Sequence, residues 1–566
     1  MRRFIALALF AINICLFASS TPQELYTLSD SQYRDVKLLC QLTGTIGPSS
    51  STPVSGKELL IALSRIDERE LPSYLKQRYE DLILSIKSYS DEPAIELSLD
   101  ISPQLFITDR YEGNFSRKDF YLIDYKDEKP GIELGIKADF GKNIVLEGSI
   151  PFINVALKNK GVFRTSFDWL INFRDGKTTV LGSDDRLTSN RDQIPDNANG
   201  SFGNDYFNLA IGRMRHSMGN GFTGNLIVGD NYSYQEATKL AFIGNYLTYT
   251  ISITHFDQQI GKETFAYTSF GGMHQNRVVH RIDANILNKL RVALNLATMY
   301  QAESAFDPRF LTPFIISHNY YNYSEKESIE NTANSIRRDE SNNLLGIELE
   351  AAPIDSLSIT LQAALDQYQL KNERQDTLPM AAGLLMNISY AIPLESSILT
   401  LWAEGVYTTP YLYLNFKRDE NGVNYNYDFI LGYNRRDDWQ RQLPDISYSG
   451  YPSGPDSIVG AFGIDYVDYK NELDISLLLS VLAHGENGIN TTSFENSIGK
   501  KTPTGVAELK IQAILKGSWQ ITEGLTLFGS IGAISIKNKD NIIGESLFKA
   551  QGHIGLSWKL FYDVFR

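Results

Sequence analysis

Two cysteines in 566 residues are too few for a disulfide framework. Cys15 lies in the opening stretch MRRFIALALFAINICLFASS, where two arginines precede an apolar run from Phe4 to Phe17 and the small residues Ala18, Ser19 and Ser20. That is the pattern of a secretory signal peptide, expected over residues 1–20 with cleavage near Ser20. Cleavage leaves Cys40 alone, in the apolar run VKLLCQL, as a small core residue with no thiolate metal site around it. Positive charge is also scarce. Without Arg2 and Arg3 the chain carries 51 basic and 67 acidic side chains, a net charge of −16, which argues against nucleic acid as a partner. Long apolar runs are missing after the signal, so no spanning helix is expected. An exported chain of this kind is either soluble or inserted as a closed β-barrel, whose alternating strands leave hydropathy flat.

What is present favours the barrel. The chain has 31 Tyr, 29 Phe and 42 Gly. A small helical module is expected over residues 21–92. In it Ser55 and Glu58 form a capping box before Leu59, Leu63 and Ile66, and Pro72 opens a helix through Leu75, Tyr79, Leu82 and Ile86. YRDVKLLCQLTG suggests a further helix stopped at Gly44. From Ala94 onward the period becomes two: Ile95, Leu97, Leu99 and Ile101 share one face and Glu96, Ser98 and Asp100 the other.

HRIDANI and LRVALNLATMY form a hairpin across Asn288-Lys289, and LLGIELEA and SLSITLQAALDQ another across Pro353 to Asp355. Apolar stretches of about ten residues suit tilted membrane strands. Tyr300, Tyr368 and Tyr407 suit an interfacial girdle. The final strand sets Ile554, Leu556, Trp558, Leu560 and Tyr562 on one face. Short turns alternating with long polar loops complete the pattern. It predicts a mainly β fold: a large transmembrane antiparallel barrel of about 16–18 strands over residues 93–566, with the helical module on the periplasmic side.

Catalytic signatures are wanting. The histidines form no H-E-x-x-H motif, and no G-x-S-x-G elbow occurs. His216 and Ser217 are adjacent, but neighbours on a strand point to opposite faces, so this histidine does not activate this serine. GNGFTG, residues 219–224, matches G-x-G-x-x-G, yet NLIVGDNYSYQ follows with no helical period, which excludes a dinucleotide turn. No enzyme activity, cofactor or metal is expected.

The wider segment NLAIGRMRHSMGNGFTGNLIVGDN has an alternating strand, Arg213 and Arg215, the glycine cluster, then Asn225 and Asp230. Arg213 and Arg215 continue the face of Phe207, Leu209 and Ile211. That leaves three options: the strand ends near Gly212, the face points into the lumen, or a bulge turns the arginines inward. An inward network of Arg213, Arg215, Asn225 and Asp230, structural first, is the expectation. His280 is read as structural too.

This segment, with the signal and the helical module, resembles the capsule assembly Wzi family of outer-membrane barrels, whose members carry a similar G-R-x-R-x-x-x-G-x-G-x-x-G-N-L element. The resemblance continues through residues 270–319, with Leu311, Pro313 and Phe314 in the family's order, and through 342–367 to Asp366. Met218 stands where relatives often have Trp. The resemblance implies a lectin-like role in retaining capsule or exopolysaccharide, without catalysis. The expected partners are a surface polysaccharide and outer-membrane lipid, with the chain a monomer. Loop aromatics and polar groups suited to sugars are Tyr320, Tyr321, Tyr323, Tyr425, Tyr427, Tyr433, Arg435, Arg436 and Trp439. The same aromatics also suit the membrane girdle. The competing function is a general diffusion porin with an acidic lumen.

Overall fold

The computed structural model describes residues 22–87, 93–108, 129–153, 163–165, 171–174, 177–180, 197–232, 234–256, 274–302, 308–312, 340–367, 380–414, 417–418, 424–425, 430–438, 441–488, 491 and 499–565. The signal-peptide expectation and Tyr368 lie outside them.

Eighteen antiparallel strands among the described residues close into a barrel. In chain order they are β1 (Ala94–Ile101), β2 (Ile132–Asp139), β3 (Ile144–Ile153), β4 (Ala198–Gly203), β5 (Phe207–Met214), β6 (Gln235–Phe242), β7 (Leu247–Phe256), β8 (His274–Ile286) and β9 (Leu290–Ala302). There follow β10 (Glu340–Ala351), β11 (Leu357–Gln367), β12 (Ala381–Pro393), β13 (Ser397–Thr408), β14 (Ser457–Asp468), β15 (Leu473–His484), β16 (Glu508–Thr522), β17 (Leu525–Lys537) and β18 (Ser546–Phe565). Each pairs with its sequence neighbour. β18 closes the ring on β1, with Leu560 opposite Leu99, and Gln104–Thr108 prolongs β1 along β18 beyond Ser102 and Pro103. Closure leaves the ring with no open edge, which a strand protein in lipid requires.

The two-residue period sorts the side chains. Outward positions form an apolar belt: Ile136, Leu294, Met386, Ile511, Ile554 and Trp558 are each between 48% and 52% exposed. Inward positions are polar, and Arg277, Arg281, Arg291, Glu348, Glu350 and Gln362 are buried. A soluble sandwich would carry the reverse arrangement. An apolar belt outside and charge inside is stable only with lipid around the barrel. No described helix is long and apolar enough to cross a membrane; the strands cross it.

Connections at one end are short. Residues 287–289 join β8 to β9 with Leu287 and Asn288 at positive φ, and residues 352–356 join β10 to β11. Tyr206 and Tyr246 stand exposed beside such turns, where a polar hydroxyl and an apolar ring meet headgroups. The girdle expectation fails for Tyr300, which is buried beneath Phe310 at a ring separation of 4.0 Å because residues 308–311 fold over that patch of the outer wall.

The helices α1 (Ser31–Leu42), α2 (Gly56–Leu63) and α3 (Ser73–Lys87) sit at the short-turn end. Tyr33, Leu39, Cys40, Leu59, Leu63, Leu75 and Ile86 form their common core, which extends onto Ala391 of β12 and Ile398 of β13. Burying each large aliphatic there contributes about 1.5–3 kcal/mol. Glu58 caps α2 by accepting the Ser55 backbone N–H at 2.8 Å, and burial pushes its carboxyl pKa up. Cys40 is fully buried, and burial raises its thiol to about 11.

Candidate functional site

Two inserts enter the lumen from opposite ends and meet inside it. The first leaves α1 at Gly44, whose φ of +60° turns the chain in beside Asp355; a Cβ there would meet Asp355 Oδ1 at 2.5 Å. Residues 45–55, TIGPSSSTPVS, are small and irregular, so their backbone polar groups need partners from the wall. Gly47 N donates to Glu350 Oε1 at 3.1 Å, and Arg291 donates to the carbonyls of Gly47 and Pro48 at 2.6 and 2.7 Å. Ser50 Oγ donates to Glu348 and accepts from Arg281. Lys239 Nζ donates to the carbonyls of Ser51 and Pro53. Arg281 and Arg291 are themselves paired with Glu348 and Glu350, so these buried charges are neutralised where they bind the insert.

The second insert leaves β5 and returns to β6. Arg215 near its start is ion-paired with Asp230 near its end, closing the neck. Ser217 and Met218 form a short antiparallel ladder with Thr52 and Ser51 of the first insert. Gly219 N then donates to Ser50 O at 3.0 Å, and His216 Nδ1 lies 2.7 Å from Thr52 O. Burial drives the His216 pKa down to about 3, with the Arg277 charge adding to it, so the ring is neutral and donates through Nδ1.

GNGFTG is the tip of this insert. Asn225 Oδ1 accepts from Gly221 N at 2.8 Å and from Gln362 Nε2 at 2.8 Å, while its Nδ2 donates to Ser217 Oγ. The Glu404 carboxylate of β13 accepts the backbone N–H groups of Phe222 and Thr223 at 2.7 and 2.8 Å. Asn220 bridges Lys37 of α1 and Glu350 of β10. A Cβ on Gly221 would lie 1.8 Å from Gly224 O, so the tight turn excludes a side chain there.

Loop residues cover the second insert from the far end. Tyr413 OH donates to Leu226 O at 2.6 Å and accepts from Tyr451 N at 2.9 Å, and burial pushes the Tyr413 pKa up. Met218, Leu226, Val228, Tyr232, Leu412 and Tyr451 form a continuous apolar core with inward residues of the wall.

The structure pairs Arg215 with Asp230 at the neck of the second insert, while Asn225 bonds Ser217, Gly221 and Gln362 toward its tip. Arg213 departs from the inward expectation. It continues the outward face of β5 beyond Ile211, pairs with Glu236 of β6 at 2.6 Å and lies 4.7 Å from the Tyr234 ring. Its place at the last strand positions, beside a carboxylate on the neighbouring strand, lets a charge stand on that face. Of the loop residues, Tyr425 lies in a short strand paired with residues 417–418. Tyr433, Arg435 and Arg436 lie on Ile430–Asp438, which pairs with Arg441–Tyr448. Tyr320, Tyr321, Tyr323, Tyr427 and Trp439 lie outside the described residues. His216 and Ser217 diverge: Ser217 Oγ donates to Val228 O and His216 Nε2 faces Ser252 Oγ. His280 is held between Tyr249 OH and Phe310 O. Among the described residues, no group of His, Cys, Asp and Glu has the arrangement to hold a metal ion.

The sequence reading missed the first insert and the buried arginines that hold it. Period two places Arg281 and Arg291, which hold this insert, and Arg277, which holds Ser449, on inward faces, and arginines buried inside a barrel call for polar partners there.

No protein-family model and no curated protein sequence matches the chain. Among solved structures it is similar to Wzi of Escherichia coli, described as an outer-membrane carbohydrate-binding β-barrel involved in group 1 capsule assembly. The identity is 14% over 94% of this chain and 98% of that one, with a TM-score of 0.52. Two further structures match: OccK3 of Pseudomonas aeruginosa, at 9% identity, 84% and 96% coverage and a TM-score of 0.39, and the outer membrane channel DcaP of Acinetobacter baumannii, at 9%, 84% and 99%, and 0.34. The likeness to Wzi shows a shared barrel fold.

Proposed function

We propose that this chain is exported through a signal peptide cleaved near Ser20, inserts as a monomer in the outer membrane, and retains capsular or exopolysaccharide at the cell surface without enzymatic activity. The helical module faces the periplasm, and the outer-loop residues Tyr320, Tyr321, Tyr323, Tyr425, Tyr427, Tyr433, Arg435, Arg436 and Trp439 are the glycan contacts.

The observation that supports this reading over a diffusion porin is the ladder of Ser51 and Thr52 with Ser217 and Met218. A porin needs a water-filled passage. Here two inserts join at mid-lumen and are fastened to the wall by buried Arg281, Arg291 and Glu404. Inserts fastened across the lumen in this way narrow such a passage and favour a role at the outer surface. The carbohydrate binding described for Wzi supplies the ligand class.

Deletion of the gene, followed by staining and shedding assays for cell-associated polysaccharide, tests the role. Less retained polysaccharide is expected. Unchanged amount and attachment, or large stable conductance in planar bilayers, overturns it.

A further inference from the structure

The inserts cover the lumen wall unevenly. Inward-facing Arg277, Arg281 and Glu348 beneath them are buried, whereas inward-facing Ser476, Lys516 and Ser530 of β15, β16 and β17 are partly exposed. At the boundary stands Phe222, the aromatic residue of the glycine turn. One face of its ring stacks on Trp402 of β13 at 4.3 Å and 9°, yet Phe222 remains 37% exposed. Lys37 Nζ, held by Asn220, lies 5.8 Å from the ring centroid. Trp402 Nε1 donates to Asp465 Oδ2 at 2.8 Å, and Ser476 Oγ donates to Asp465 Oδ1 at 2.6 Å. Toward the short-turn end Arg34 of α1 pairs with Asp474 of β15 at 2.7 Å, the two side chains 41% and 37% exposed. Asp465 lies within electrostatic reach of both.

We infer that this crevice, between α1, the tip of the glycine turn and the β13–β15 wall, is a second saccharide site that takes a neutral oligosaccharide entering from the short-turn end. An aromatic residue left partly exposed at the edge of a polar wall offers what the C–H face of a sugar ring packs against. Sugar hydroxyls donate and accept at once, so a half-exposed Arg34–Asp474 pair offers a diol one donor and one acceptor side by side. Around the crevice Arg34, Lys37, Arg78 and Lys516 stand against Asp35, Glu404, Asp465 and Asp474, formal charges that balance, so it has no strong field to select an ionic ligand. The inference borrows its ligand class from the polysaccharide reading, and its site is separate from the outer loops.

The test is calorimetric titration of the full-length barrel in detergent with maltohexaose, cellohexaose and trigalacturonate. A neutral hexasaccharide is expected to bind and to change tryptophan fluorescence through Trp402. Phe222→Leu, which keeps an apolar tip on Trp402, is expected to weaken binding about tenfold, Phe222→Tyr to preserve it, and Asp474→Asn to weaken it by a similar factor. Binding of trigalacturonate alone, binding of neither neutral hexasaccharide, or equal affinity in wild type, Phe222→Leu and Asp474→Asn overturns the inference. The surface role is read separately. Cells carrying Phe222→Leu are expected to retain polysaccharide normally. If gene deletion leaves retention unchanged while Phe222→Leu still loses affinity, the crevice stands and the surface reading falls.

Discussion

The His216 ring and the Thr52 carbonyl meet at 2.7 Å although they approach from opposite ends of the barrel, one on the chain leaving β5 and the other on the chain leaving α1. The ring donates Nδ1–H to that carbonyl in either protonation state, so it is burial rather than the contact that selects the neutral imidazole. Burial, with Arg277 nearby, holds the inserted ring near pKa 3, while a released ring returns to about 6.5. The sign follows: the contribution of neutral His216 is complete above pH 6.5 and is lost progressively as pH falls toward 3. Below pH 6.5 the ratio of released to inserted forms should rise up to about tenfold per pH unit, the slope of one proton. Hydrogen exchange of residues 216–232, corrected for intrinsic rates, should therefore accelerate between pH 7 and 5. His216→Gln should remove that dependence; an unchanged dependence would sink the assignment.

The second prediction concerns Arg291, which holds Gly47 and Pro48 by their carbonyls and neutralises Glu350. Arg291→Met leaves a carboxylate buried without its cation, a loss of about 3–5 kcal/mol. Denaturation in detergent should show a lower midpoint, and Arg291→Met with Glu350→Gln should be less destabilised than Arg291→Met alone. A double variant as weak as the single one would mean that the carbonyl contacts, rather than the ion pair, carry the effect.

The glycine turn gives a third. Gly221→Ala places a methyl where Gly224 O already lies, so the tip must shift and Glu404 loses its two backbone donors. Gly405→Ala, on the outward face of β13 with nothing within 4 Å, is the matched control. Planar-bilayer recordings should show more frequent openings for Gly221→Ala than for Gly405→Ala or wild type. Equal behaviour would show that the tip contributes nothing to closure.

The barrel was legible because period two acts locally: Leu290, Val292, Leu294 and Leu296 declare a face without knowledge of any partner, and the face proved outward. The neck pair Arg215 and Asp230 was within reach for a similar reason, both residues flanking one glycine cluster. The first insert was not. TIGPSSSTPVS has no period and no apolar stripe, and its conformation is dictated by Lys239, Arg281 and Arg291, which lie about two hundred residues away in sequence. Arg213 misled because strand pattern alone does not say where the membrane ends, whereas Glu236 on the neighbouring strand does.

The ladder between the inserts yields the last prediction. Ser51 lies opposite Met218, and directly paired antiparallel residues have Cα atoms about 4.5–5.5 Å apart, within the range a disulfide spans. Ser51→Cys with Met218→Cys should oxidise readily, while Cys40 stays reduced because it is fully buried in the helical core. The oxidised form should resist the acid-driven acceleration of exchange in residues 216–232, since release then requires both inserts to move together. It should also suppress the openings caused by Gly221→Ala, and reduction should restore both. If the crosslink forms but leaves exchange and openings as they were, the two inserts move independently and the junction is not what holds the lumen closed.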